Sequence, residues 1–190
     1  MLKRVAMTVT LLALAIPMWS GDAAAAPEGC TIEGTPGPDQ LVGTGGADVI
    51  CGKGGRDELR GLGGHDVLIG GENGDLLVGG AGNDVLDGGG GPDGFFNGAG
   101  ADTIYGGGGN DRSYFGGGRD VHFGEGGRDF LNDLKGQDRM YGGPGNDFCL
   151  GSFDSHAGDL VNGGPGVDVY FSDPGDTRVS VEDEIVCFGE

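Results

Sequence analysis

The stretch GLGGHDVLIGGENGDLLVGGAGNDVLDGGGGPDGFFNGAGADTIYGGGGND, residues 61–111, repeats a unit of nine residues. An aspartate stands at the same step of every unit, so that Asp66, Asp75 and Asp84 follow one another at intervals of nine. A strict short period indicates one small structural unit stacked on itself rather than a globular fold. The fold class therefore follows from this period.

The same spacing extends in both directions from the quoted stretch, from Asp39 to Asp147. The register shifts by three residues after Asp147, because the next aspartate of the pattern is Asp159, and the spacing of nine then resumes with Asp168. An insertion near residues 151–153 explains the shift. The array of repeats is therefore expected to span most of the chain.

Each unit divides into a glycine-rich part of six residues and a hydrophobic part of three. Glycine permits positive φ and close approach of backbones, so the first part predicts a tight turn and the second a short strand. Side chains alternate along a strand, and the middle residue of the three is therefore expected in the core. The residues at this step are Leu41, Ile50, Leu59, Leu68, Leu77, Leu86, Phe95, Ile104, Ser113, His122, Leu131 and Met140.

Two units make one coil, which places each aspartate beside the second aspartate after it in the sequence. At a coil spacing of about 4.8 Å, two carboxylates repel by about 3 kcal/mol at an effective dielectric near 20. A cation is needed between them. The turns offer only carboxylate and carbonyl oxygens, which suit Ca²⁺, whereas zinc would require paired Cys or His and Mg²⁺ a stricter octahedron.

The units GGAGNDVLD at 79–87 and GGPGNDFCL at 142–150 resemble the G-G-x-G-x-D-x-U-x nonapeptide of the RTX (repeats-in-toxin) family, where U is a large apolar residue. This resemblance implies an all-β fold, a right-handed parallel β-roll with about 18 residues per coil, and calcium bound in its turns. The expected metal ligands are the aspartates in register, Asp39, Asp48, Asp57, Asp66, Asp75, Asp84, Asp93, Asp102, Asp111, Asp120, Asp129, Asp138, Asp147 and Asp168.

The N-terminal segment has the pattern of a signal peptide. Lys3 and Arg4 precede an apolar run at 5–16, which is too short for a membrane span, and Ala23–Ala26 offers a cleavage site. The expected organisation is a signal peptide at 1–25, an N-terminal cap at 26–33, a β-roll at 34–171 and a C-terminal cap at 172–190. The chain is accordingly predicted to be secreted and extracellular.

Four cysteines in an exported chain predict two disulfides. Their positions near the two ends of the array favour pairing Cys30 with Cys51 and Cys149 with Cys187, because the ends of a one-dimensional stack fray and need caps. Peptide mapping would distinguish this pairing from the other two connectivities.

The sequence predicts a secreted calcium-binding protein that folds when calcium binds, with several ions as its only cofactor. No catalytic activity is expected, since the sequence has neither HExxH nor GxSxG with a partnered histidine. The net charge of −19 argues against a nucleic-acid partner. An alternative is adhesion to extracellular polysaccharide or a cell surface through the aromatics of the middle repeats, which would otherwise only pack over the roll: Phe96, Tyr105, Tyr114, Phe123 and Tyr141.

Overall fold

The computed structural model describes residues 29–114, 116–133, 135–152, 158–170, 177–179 and 184–186. Within these ranges the chain is an all-β parallel solenoid of about seven coils, and it contains no helix. The described residues therefore include no helix long and apolar enough to cross a membrane. The expected signal peptide at 1–25 lies outside them.

Each coil contributes strands to two sheets, and the strands are numbered along the chain. The first sheet is ordered β1 (Ile32–Glu33), β3 (Val49–Gly54), β5 (Val67–Glu72), β7 (Val85–Gly90), β9 (Thr103–Tyr105), β13 (Val121–Phe123), β16 (Arg139–Tyr141), β18 (Leu160–Asn162) and β20 (Thr177–Val179), with β10 (Gly108–Gly109) and β14 (Gly126–Gly127) beside it. The second is ordered β2 (Gln40–Val42), β4 (Glu58–Gly63), β6 (Leu76–Ala81), β8 (Gly94–Gly100), β11 (Arg112–Tyr114), β15 (Phe130–Asp133), β17 (Phe148–Ser152), β19 (Asp168–Tyr170) and β21 (Glu184–Val186), with β12 (Gly117–Gly118) beside it.

The pairing register confirms that one coil consists of two units. Val49 pairs with Val67 in the first sheet, and all named strands pair in parallel with the same offset as far as β16 in that sheet. The next step is longer than a regular coil, because Arg139 pairs with Leu160. The three extra residues fall where the spacing of the aspartates changes in the sequence. The insertion is therefore absorbed in one coil without ending the sheets.

The core lies between the two sheets, and the middle residue of each short strand contributes its side chain to it. All the predicted core positions from Ile50 to Met140 are at most 1% exposed, and Leu41 packs against them at the first coil. Ser113 and His122 also lie in this core, and the ring of Phe95 meets the His122 ring edge-on. Val161, after the insertion, extends the same core. The period of nine thus predicts the core correctly.

Close stacking of the coils accounts for the glycine that stands two residues before most of the aspartates. Gly82 has a φ of +137°, and a Cβ built on it would overlap the carbonyl oxygen of Gly64 in the preceding coil. Only glycine fits a position that combines positive φ with such an approach. The residue two positions before this glycine need not itself be glycine. Lys53, Leu62 and Glu125 occupy that position with φ between 67° and 80°.

A disulfide joins Cys30 to Cys51 and confirms the predicted staple at the N-terminal end. Cys51 is buried in β3, and β1 pairs with this strand at Ile32 and Glu33. The bridge therefore ties the segment before β1 to the second coil. The predicted partner of Cys149, Cys187, lies outside the described residues.

The segment predicted as a C-terminal cap contributes two strands to the stack. β20 pairs with β18 and β21 pairs with β19, in parallel like every other rung. Thr177 lies opposite Leu160 and Glu184 opposite Asp168, so this last step is shorter than the regular coil. Both sheets therefore continue beyond Asp168.

Replacing Leu62 with glycine is expected to stabilise the roll. Leu62 is 54% exposed and adopts a φ of 79°, which costs a non-glycine residue about 1–2 kcal/mol. Leu62→Gly should remove this strain and raise the free energy of unfolding by about 1 kcal/mol. The greater conformational entropy of glycine in the unfolded chain reduces this gain. Leu62→Ala is the control, because it retains the Cβ and the strain. Equal urea midpoints for the two variants would contradict the explanation.

Candidate metal centre

Two rows of aspartates run along the roll, one at each turn between the sheets. Row one contains Asp39, Asp57, Asp75, Asp93, Asp111, Asp129, Asp147 and Asp168, and row two contains Asp48, Asp66, Asp84, Asp102, Asp120, Asp138 and Asp159. The structure thus brings together each predicted ligand with its neighbours in the adjacent coils. Every described aspartate of a row except the last donates its backbone N–H to the Oδ1 of the next, at 2.5–2.9 Å.

The second carboxylate oxygen has a different environment from the first. While Oδ1 accepts the bond from the preceding coil, Oδ2 points into the turn. Within the part of the chain that the structure describes, nine aspartates have a buried Oδ2 with no hydrogen-bond donor: Asp57, Asp66, Asp75, Asp84, Asp93, Asp102, Asp111, Asp129 and Asp147. A buried carboxylate oxygen without a partner is costly unless a donor or a cation satisfies it.

A second oxygen lies near eight of these nine Oδ2 atoms, and a glycine makes room for both; at Asp102 this step is Asn97. A Cβ built on Gly70 would lie 2.5 Å from the Asp75 Oδ2 and 2.7 Å from the carbonyl oxygen of Gly88 in the next coil. At Gly124 the same point is 2.6 Å from the Asp129 Oδ2 and 2.5 Å from the carbonyl oxygen of Gly142. Any larger side chain at this step would displace the oxygens. The first glycine of the unit therefore preserves an oxygen-lined space between coils.

The electrostatic cost of these carboxylates appears in their pKa values. Burial is the largest effect, and it raises the pKa of Asp93 to about 8 although the backbone hydrogen bond from Asp75 lowers it. The neighbouring carboxylates of row one raise it further. Burial also raises the pKa to about 7 for Asp75, Asp129 and Asp147 and to about 6 for Asp102 and Asp111. Without a cation, the folded roll disfavours its own charged form.

These oxygens fit a hard divalent cation. Carboxylate and backbone carbonyl oxygens are the donors that Ca²⁺ prefers, and it accepts about six to eight of them in flexible geometry. Among the described residues, no three His, Cys, Asp or Glu side chains form a cluster. A calcium site here must therefore take several ligands from the backbone, as the carbonyls of Gly88 and Gly142 would allow. Calcium supplies the positive charge that the rows lack.

Three of the predicted ligands have other partners at Oδ2. The hydroxyl and backbone N–H of Thr35 bond the Asp39 Oδ2 at 2.9 and 2.6 Å, and Thr44 does the same for Asp48 at 2.9 and 2.7 Å. At Asp120, the amide of Asn97 donates to Oδ2 at 2.7 Å. The aspartates of the rows are therefore not equivalent, although the sequence pattern treats them alike.

Asp159 belongs to row two but is absent from the predicted ligands. It is fully buried, and its Oδ1 accepts the N–H of Asp138 at 2.9 Å. The insertion before it breaks the period of nine, and although the resumed spacing places Asp159 in the pattern, the expected ligands omit it. The strand Leu160-Val161-Asn162 that follows it was the signal in the sequence, because it has the hydrophobic pattern of the other strands.

The aromatic residues of the middle repeats form two stacks on the outer faces of different sheets. On the first sheet, the Phe123 ring lies 5.3 Å from Tyr105 and 5.0 Å from Tyr141, nearly parallel to both. On the second sheet, Phe96 and Tyr114 stack at 5.3 Å and are 46% and 37% exposed. Regular pairing of β9, β13 and β16 places the first set in line. The aromatics therefore do not form one continuous stripe.

Comparison with known families agrees with the geometry of the rows. The RTX calcium-binding nonapeptide repeat matches in four copies, at residues 31–59, 60–95, 98–121 and 123–155. A search of curated proteins finds no match. The four copies cover well over half of the 190 residues, together with most of both aspartate rows. The chain belongs to the family of RTX calcium-binding nonapeptide-repeat proteins.

Proposed function

We propose that this protein is secreted, binds several calcium ions between its coils, and folds when they bind. The observation that supports this best is the set of nine buried Oδ2 atoms without donors, each in register with the next coil. These nine aspartates, with backbone carbonyls such as that of Gly88, are the proposed ligands. The role is structural, and no catalytic step is assigned to any residue.

Folding on binding follows from the charge of the rows. In the calcium-free roll, neighbouring buried carboxylates raise one another's pKa, as Asp111 and Asp75 do for Asp93. An ion that binds only the folded chain contributes its binding free energy to folding. Extracellular calcium modules typically have dissociation constants of about 0.1–1 mM. Such a chain would remain largely unfolded in the low calcium of a cell and become ordered outside it.

Secretion is supported by two features of the N-terminal region. Residues 1–25 have the charge and hydrophobicity pattern of a signal peptide. The disulfide between Cys30 and Cys51 is typical of oxidising, extracellular compartments. Both features agree with a protein that meets calcium after export.

Calcium titration of the chain from residue 26, followed by far-UV circular dichroism, tests this function. We expect a cooperative gain of β signal with calcium and little response to magnesium. Asp93→Asn should raise the midpoint calcium concentration at least about threefold, because ligand charge tunes affinity. The matched control is Glu72→Gln, which changes an exposed carboxylate outside both rows. A wild-type chain that is already folded in chelator would contradict the proposal.

Protonation of the carboxylates should partly replace calcium in stabilising the folded chain. Burial in the folded state raises the pKa to about 8 for Asp93 and about 7 for Asp129, from the ordinary 3.8. A raised pKa in the folded state stabilises folding below the unfolded pKa, and this stability is lost as pH rises through the folded value. Calcium-free protein should therefore gain β signal as pH falls from 8 to 5.

Protons and calcium stabilise the folded chain at the same oxygens, so less calcium should be needed to fold it as the pH falls, and the calcium midpoint of the dichroism should decrease over the same range. The measurement is the dichroism titration repeated at pH 8, 6.5 and 5. A calcium-free chain that loses β signal on acidification would show that the carboxylates are not buried as described.

A second candidate function is calcium-dependent adhesion to polysaccharide. Phe96 and Tyr114 favour it, because they present stacked, exposed rings on the outer face of the second sheet. Flat aromatic surfaces of this kind stack against sugar rings and partner surfaces. Calcium would then order the roll that holds the rings in line.

Sedimentation with insoluble cellulose and chitin, in calcium and in chelator, tests adhesion. We expect binding only in calcium, and its loss in the Phe96→Ala, Tyr114→Ala double variant. The matched control is Tyr105→Ala with Phe123→Ala, which removes the less exposed stack of the other sheet. Equal binding by both double variants and wild type would leave calcium binding as the only supported function.

A further inference from the structure

The glycine five residues before each aspartate of row two is first replaced at Asn97, and Phe115, Asp133 and Asp154 take the same step in the later units. Five residues before most aspartates of the rows stands a glycine, such as Gly79 before Asp84, but Asn97 takes this step before Asp102. Its side chain is fully buried. Residues 96 and 97 also fall between two of the matched family copies. An amide therefore fills the space that glycine keeps open in the regular turns.

Both ends of the Asn97 amide are satisfied by the next coil. Its Nδ2 donates to the Asp120 Oδ2 at 2.7 Å, and its Oδ1 accepts the backbone N–H of Gly116 at 2.8 Å. The other oxygen of Asp120 accepts the N–H of Asp102 at 2.9 Å. Reversing the amide would place a carbonyl against a carboxylate and an NH₂ against an N–H. The hydrogen bonds thus define one orientation.

The turn of Asp84, one coil before the turn of Asp102, shows what the amide replaces. At Asp84 the Oδ2 has no donor, and it lies 2.6 Å from the point that a Cβ on Gly79 would occupy. There the proposed calcium ion supplies the missing charge. Between the coils of Asp102 and Asp120, the side chain of Asn97 occupies the corresponding room and donates to the Asp120 Oδ2.

We propose that Asn97 takes the place of one calcium ion, so that an amide holds the coil of Asp102 to the coil of Asp120. This inference rests on the proposed calcium sites of the other aspartates. It divides row two into a block before this junction and a block after it, and ions on the two sides have no shared ligand. Row one continues past the junction unchanged.

The junction occurs where the core is weakest. Ser113 and His122 occupy consecutive core steps in the coil that contains Gly116 and Asp120, in place of the usual apolar residues. A coil with little hydrophobic stabilisation thereby gains a hydrogen-bonded link that does not depend on the calcium concentration.

Counting bound calcium by native mass spectrometry tests the proposal. Asn97→Gly restores the usual turn and should bind one ion more than wild type at saturating calcium. The exchange variant Asn97→Asp with Asp120→Asn reverses the amide and the carboxylate across the junction, keeps all three hydrogen bonds, and should bind the wild-type number. The matched control is Asp84→Asn in the same row, which should bind at least one ion fewer.

Each result decides between the alternatives. An exchange variant that loses as many ions as Asp84→Asn would show that Asp120 is a calcium ligand and would overturn the proposal. An unchanged count in folded Asn97→Gly would overturn it as well. If Asn97→Gly fails to fold, the exchange variant alone decides. A wild-type chain that binds no calcium would instead refute the proposed function, which keeps the two failures distinct.

Discussion

The roll depends on satisfying carboxylate oxygens that its own stacking buries. Each coil binds the next through an aspartate Oδ1, and at nine of the described aspartates the same hydrogen bond leaves the Oδ2 buried in a turn without a donor for it. A neutral residue at this step would weaken the link between coils, whereas a carboxylate requires a cation. The backbone geometry and the metal requirement thus have one origin. In the proposed function, calcium is part of the stacking interaction rather than an addition to a finished fold.

The glycines follow from the same stacking. Gly82 is required because its backbone meets the carbonyl of Gly64, and Gly70 because a side chain would displace the Asp75 Oδ2. With so many positions committed to small residues, each unit retains one core side chain. The hydrophobic contribution of a unit is therefore small, about 2–3 kcal/mol for one buried leucine. Charge neutralisation between coils has to supply what a larger core supplies in globular domains.

Most of the fold could be predicted from the sequence, because one period sets strand, turn and core positions together. Leu68 and Ile104 are buried where the count of nine places them, and Cys30 pairs with Cys51. The count of nine, resumed after the insertion, reaches Asp159, yet the expected ligands omit this member of row two. The count cannot distinguish Asp120 from Asp84, since their difference comes from Asn97, a residue 23 positions before Asp120 in sequence and in contact only after folding.

Near-identical repeats create a hazard that the N-terminal disulfide addresses. A coil that paired with the wrong neighbour would still bury a leucine and align two aspartates, because a slip by one whole coil restores the same pattern. The bond from Cys30 to Cys51 permits one pairing of the first strand, Ile32 opposite Ile50. The pairing register of every later coil then follows from this first pairing. A repetitive sequence thereby acquires a unique alignment from a single covalent bond outside the repeating pattern.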